Sequence, residues 1–109
     1  MISWSDFEKV DLRVGTILDV QDFPEAKNPA YKLRIDFGEN GIKNSSAQIT
    51  KLYRKEDLVG RQVIAVTNFP PKQIANFSSE CLVLGAVLEG KDVVLLKPER
   101  SVPNGSRIG

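Results

Sequence analysis

From Leu12 to Phe37 the chain reads LRVGTILDVQDFPEAKNPAYKLRIDF, and the spacing of its apolar residues decides the fold class. Leu12, Val14, Thr16, Leu18 and Val20 fall on one side, with Arg13, Gly15, Asp19 and Gln21 mostly on the other. A period of two belongs to a strand with one face buried and one wet. The pattern predicts a long half-buried strand, with Gly15 marking a bend or bulge of the kind barrel strands need. Phe23 to Pro29 is broken twice by proline and reads as a loop. Tyr31, Leu33, Ile35 and Phe37 then alternate with Lys32, Arg34 and Asp36, which predicts a second strand with a basic edge near its start.

Working outward, Gly38-Glu39-Asn40-Gly41 is a hairpin turn, with glycine where a positive φ is expected. Ile42 to Ile49 reads as a third strand, unusually polar. Lys51 to Leu58 reads as a short helix ended by Gly60. Gln62 to Thr67 is apolar on both faces and should be a central strand. Asn68-Phe69-Pro70-Pro71-Lys72 interrupts it. Cys81 to Leu88 reads as another strand, and Glu89 to Asp92 turns it into Val93-Val94-Leu95-Leu96. Pro98 to Gly109 is rich in Pro, Gly and Ser, yet Val102 and Ile108 suggest a final short strand. At the other end, Ser3 and Ser5 are candidate caps for a helical turn over Asp6 to Val10. Trp4 and Phe7 are spaced to share one face of that turn. The fold expected is all-β: a five-stranded OB-type barrel with a short N-terminal helix, a short helix between the third and fourth strands, and a C-terminal extension.

Composition narrows the chemistry. A chain of 109 residues supplies one domain, taken here as 1–109, and a small core that a partner subunit would help to cover. The balance of 15 basic and 14 acidic residues gives a net charge of +1, so a nucleic-acid partner would require positive charge gathered on one face. Cys81 is the only cysteine and histidine is absent. An internal disulfide is impossible, a zinc site is disfavoured, and the commonest neutral-pH general base is missing. Cys81 lies in the apolar run before Leu82-Val83-Leu84 and reads as a packing residue. There is no Walker lysine pattern, and no cofactor or enzymatic activity is expected. The first residues lack a basic region followed by an apolar stretch, and no window is long and apolar enough to span a membrane, so a cytoplasmic protein is expected.

Several separated stretches resemble the tRNA-binding domain family. Asp11-Leu12-Arg13-Val14-Gly15 is similar to its opening strand. Asn28-Pro29, with Lys32-Leu33 and Ile35-Asp36-Phe37-Gly38, resembles its second-strand signature. Tyr53 with Leu58-Val59-Gly60-Arg61 is similar to its helix, and Asn68-Phe69-Pro70-Pro71-Lys72 with Ser79 to the loop and strand that follow. Ser45-Ser46-Ala47-Gln48-Ile49-Thr50 and Val102 to Gly109 resemble a stand-alone branch described as export-associated chaperones. The resemblance implies an OB barrel that dimerises through the N-terminal helix (1–10) and the extension (98–109). It also implies one of two partners: unfolded or precursor polypeptides, held without ATP, or structured tRNA.

By the same resemblance, Asn28, Lys32, Asn68, Lys72 and Ser79 match the family's polar binding surface. Their amides, hydroxyl and ammonium groups suit peptide backbone, bases, phosphates or carboxylates. The asparagines could equally cap turns beside prolines. Ser46 and Gln48 suit a groove better than a core, although a polar sheet edge is the alternative. Phe69, Pro70, Pro71, Ile74 and Phe77 form a stiff apolar loop that either offers a pocket or plugs one barrel end. A tRNA reading would add Arg34, Lys43 and Lys51 to Lys32 and Lys72 as phosphate contacts.

Overall fold

The computed structural model describes all residues from Met1 to Gly109. Alternation delivers the central strands: β1 (Leu12–Asp22), β2 (Tyr31–Asp36), β3 (Ile42–Ala47) and β4 (Gln62–Val66). With β7 (Leu82–Val83) they form a five-stranded sheet in the order β3-β2-β1-β4-β7, every pair antiparallel. The sheet curls until β3 meets the segment entering β7. There the Glu80 N–H donates to the Asn44 carbonyl at 2.8 Å, and the Ser45 hydroxyl donates to the Cys81 carbonyl at 2.9 Å. The result is the nearly closed five-stranded barrel expected for an OB-type fold. No helix is long and apolar enough to cross a membrane.

The barrel is filled by Ile17, Leu33, Ile35, Phe37, Leu58, Val63 and Ala65, each about fully buried. Burial of each of these side chains except the small Ala65 stabilises by roughly 1.5–3 kcal/mol. Leu58 comes from α2 (Lys55–Leu58), which caps one end as the expected helix between the third and fourth strands. That helix is shorter than the Lys51–Leu58 expectation. Its start is fixed by Asp57, whose carboxylate accepts the Arg54 N–H at 3.1 Å; this bond holds the Asp57 carboxyl below its usual range.

β1 departs from the alternation read in the sequence. Val14 is buried, but Ile17 rather than Thr16 is the next inward side chain; Leu18 faces solvent and Val20 is again inside. The register against β2 slips between Ile17 and Asp19, a bulge that re-phases the strand. Gly15 sits against the core, where an added Cβ would lie 2.6 Å from Ile35 Cγ2 and 2.8 Å from the Phe37 ring. Glycine is therefore required there for space.

Two hairpins extend the barrel. β5 (Lys72–Ile74) pairs with β6 (Phe77–Ser79), a hairpin where the proline-broken sequence predicts a stiff loop. The single strand expected over Cys81–Leu88 is divided into β7 and β8 (Gly85–Val87), and β8 pairs with β9 (Val93–Leu95). The extension lies along the first half of β1. Val14 N–H donates to the Ser106 carbonyl, Gly105 N–H to the Val14 carbonyl, and Ile108 N–H to the Leu12 carbonyl, with an isolated bridge between Arg13 and Arg107. Gln62 reads the backbone of Val102 in both directions, and Asn104 Oδ1 accepts from Thr16 Oγ at 2.7 Å. The α1 helix (Trp4–Glu8) closes a capping box between Ser3 and Asp6 and leaves Ile2 and Trp4 largely exposed.

Candidate functional site

A concavity of about 420 Å³ opens between the end of β3, the 69–74 segment, the 79–83 segment and β9. Its floor and walls are Ile49, Phe69, Pro70, Ile74, Leu82, Val83, Val93 and Leu95. Its polar rim is Ser46, Gln48, Lys72, Ser79 and Glu80. The β5–β6 hairpin explains why the well stays open. Pro70 and Pro71 stiffen the approach to β5, and the tight turn at Ala75-Asn76, with Ala75 at φ 52°, folds Ile74 back beside Phe77. Phe69 and Ile74 thus line a pocket.

The ionisable groups of this pocket are Glu80, Cys81 and Lys72. Glu80 Oε1 accepts the Asn44 N–H at 2.8 Å. Burial pushes the Cys81 thiol up to about 11, which leaves it protonated and inert near neutrality. Lys72 is exposed and makes no ion pair. Ser79 Oγ accepts the Ser46 N–H at 3.1 Å, and Ser79 pairs across the hairpin with Lys72. The arrangement suits binding: an apolar well with a few amide, hydroxyl and ammonium groups at its rim.

The sequence-predicted residues divide among four places. Ser46, Gln48, Phe69, Lys72, Ile74 and Ser79 come together around the apolar well. Asn28 lies in a neighbouring polar basin of about 360 Å³, which shares Gln48, Ile49 and Val93 with the well. Lys32 and Phe77 occupy the outer face of β2, beside Asp19, Gln21, Arg34 and Asn44. There the Lys32 ammonium lies 4.8 Å from the Phe23 ring centre and 5.6 Å from that of Phe77, and the two rings meet edge-on at 5.4 Å.

Asn68 stands apart from all three concavities. Its Oδ1 accepts the Asp11 N–H at 2.9 Å and its Nδ2 donates to the Lys9 carbonyl at 2.7 Å, so the amide clamps the exit of α1. Beside it the Thr67 hydroxyl donates to the Asp11 carboxylate at 2.7 Å and holds that carboxyl below its usual range.

Sequence reasoning did not place Leu82, Val83, Val93 and Leu95 in the site, because strand residues lining a pocket carry the same pattern as strand residues filling a core. It also passed over Lys91. That residue lines the polar basin and adopts φ 72°, a left-handed conformation costly for a lysine.

Residues 12–107 match the family model described as a putative tRNA binding domain. The crystal structure of chaperone CsaA from Bacillus anthracis str. Ames is 56% identical, with a TM-score of 0.96 over 100% of this chain and 99% of that one. The CsaA chaperone protein from Picrophilus torridus is 57% identical, with a TM-score of 0.93 over the whole of both chains. Methionine--tRNA ligase of Nanoarchaeum equitans is 38% identical over 108 residues, which are 99% of this chain and 14% of the ligase. The chain thus spans about one seventh of the length of the first curated relatives it matches.

Proposed function

The chain belongs to the family of putative tRNA binding domains, and from that premise we propose that it is a non-catalytic chaperone that holds unfolded or precursor polypeptides without ATP. The observation that carries this reading is the apolar well between Phe69, Ile74, Leu82 and Leu95, with its thin polar rim. A preformed apolar concavity accepts varied side chains at little ordering cost. The similarity to CsaA chaperones over the full chain supports the same reading. The activity is assigned to the cytoplasm, where precursor chains are met before export. The unit proposed is a homodimer whose interface includes the N-terminal helix and the extension. Ile2, Trp4 and Phe7 line one shallow apolar concavity on that helix, and a two-fold partner would cover it while presenting two wells to one client.

A second reading is tRNA binding on the outer face of β2. It is favoured by the family and by Lys32 and Arg34 lying beside the Phe77 ring, a basic and aromatic surface suited to phosphate and base. Salt separates the two readings. Binding to tRNA should weaken with a log–log slope of about −0.7 to −0.9 per phosphate neutralised, whereas capture of apolar side chains should hardly change.

The test is a paired titration with a labelled, permanently unfolded polypeptide and with tRNA, each at low and high salt. Salt-resistant polypeptide binding that weakens roughly tenfold in Phe69→Ala or Ile74→Ala is the expected result. Salt-sensitive tRNA binding lost in Lys32→Ala, with no polypeptide binding, would replace the first reading by the second.

A further inference from the structure

The apolar well and the polar basin lie side by side and share Gln48, Ile49 and Val93, past the end of β3 and at the start of β9, so an extended chain could cross from one into the other. Each contains a carboxylate that is already engaged and a lysine that is not. In the well, Glu80 accepts the Asn44 N–H, while Lys72 has no carboxylate partner. In the polar basin, Asp92 lies 3.8 Å from the Lys51 ammonium, while Lys91 has no carboxylate partner. The Asn28, Gln48 and Thr50 side chains of that basin make no hydrogen bond within the chain, leaving their donors free. Lys91 also occupies a left-handed backbone position, φ 72°, immediately after Gly90 at φ 84°. Glycine would be the unstrained residue there, so a lysine at this position carries a conformational cost.

Resting on the polypeptide-binding reading, we propose that the occupant of the well and the basin together is an extended polypeptide segment in which an apolar side chain is followed or preceded, within a few residues, by a carboxylate. The apolar side chain fills the well. The carboxylate meets Lys91 and the free amides of the polar basin, where charge-assisted hydrogen bonds form. Clients would therefore be chosen by an apolar–acidic pairing and not by apolar content alone. RNA is the poorer fit for this surface: it would bring a run of phosphates to two unpaired lysines and lay bases over an aliphatic floor.

The test uses the full chain and labelled peptides of Gly and Ser carrying one Leu or Trp anchor, with Glu, Gln or Lys placed two to four residues away on either side. Fluorescence anisotropy should rank Glu above Gln above Lys, with Glu favoured about three- to fivefold over Gln, as exposed ion pairs allow. The preference should shrink at high salt. Lys91→Gly should abolish it and Lys91→Arg should keep it. Lys91→Gly relieves the backbone, so misfolding is not expected to confuse the result. Equal binding of Glu and Gln peptides, still weakened by Phe69→Ala, would overturn the carboxylate assignment and leave polypeptide binding standing. No binding by any peptide would overturn both. Loss of tRNA binding in Lys91→Gly, with Glu and Gln peptides equal, would assign the lysine to RNA and overturn the proposal.

Discussion

Glu80 and Asn44 grip each other twice: the Glu80 N–H donates to the Asn44 carbonyl at 2.8 Å, and Glu80 Oε1 accepts the Asn44 N–H at 2.8 Å. The side-chain oxygen stands where a strand carbonyl would stand in a regular ladder, so a carboxylate completes the barrel seam. Glu80→Ala leaves the half-buried Asn44 N–H without its acceptor and should destabilise by about 1–3 kcal/mol. Glu80→Gln keeps an acceptor oxygen in place and should retain most of the stability. Urea unfolding of the two variants checks this. Equal losses would mean that the seam is not held by this bond.

Gly15 and Gly60 should respond to alanine for different reasons. At Gly15 a Cβ would be driven into the Ile35 side chain and the Phe37 ring, which is overpacking and should cost about 1–3 kcal/mol. At Gly60 nothing lies within 4 Å, but φ is 86°, so only the left-handed backbone strain of about 1–2 kcal/mol applies. Thermal unfolding should therefore show Gly60→Asn recovering most of the Gly60→Ala loss, because asparagine tolerates that conformation. Gly15→Asn should be worse than Gly15→Ala.

The central strands were legible because Tyr31-Leu33-Ile35-Phe37 keeps one phase throughout. β1 was legible as a strand but not in its facing, since Gly15 at the core and the bulge after Ile17 change which residue points inward. The β5–β6 hairpin was missed because three-residue strands are too short to alternate and its turn, Ala75-Asn76, lacks the glycine that usually marks one. Leu82 to Leu88 read as continuous, but the strand breaks at Leu84, and β8 restarts at Gly85, where a Cβ would run into the Val93 side chain. In the site, the polar third strand and the Phe69–Ile74 loop pointed to the well. Asn68 is polar and beside the same loop, yet its partners, Lys9 and Asp11, lie nearly sixty residues earlier. No local pattern reveals a clamp of that kind.

Asn68→Ala removes both ends of that clamp. Amide exchange at Asp11 should accelerate and α1 should fray, while the overall stability falls by only about 0.5–1.5 kcal/mol because the bonds are exposed. Polypeptide binding at the well should be unchanged. Hydrogen exchange and anisotropy on one preparation decide it; weakened peptide binding with normal Asp11 exchange would show that the amide meets the ligand instead.

Cys81 gives a pH dependence with a definite sign. Burial raises its thiol from an ordinary 9.0 to about 11, so the native state keeps a proton that the unfolded chain releases first. Stability from this group is full below pH 9 and is lost as pH rises from about 9 to about 11. The loss should be about 2–3 kcal/mol at most. The measurement is the difference between wild type and Cys81→Ala across pH 8 to about 11, in which every group common to the two proteins cancels. Curves that stay parallel would contradict the burial argument.

Trp4 is the only tryptophan and is 88% exposed on the single chain, where it shares a concavity with Ile2 and Phe7. Its emission therefore reports the face proposed to be covered in the dimer. A dilute sample should emit as a hydrated indole. Raising the protein concentration through the dimer transition should shift emission to shorter wavelength as water leaves the ring. Trp4 itself cannot be removed without losing the signal, so Phe7→Asp is the matching variant. A carboxylate in that concavity would be buried unpaired on association, which should move the blue shift to higher concentration by at least an order of magnitude. Sedimentation of both proteins gives the mass independently. A blue shift with a single-chain mass would mean that α1 folds back on its own barrel. A double-chain mass with hydrated emission would put the interface on the extension alone.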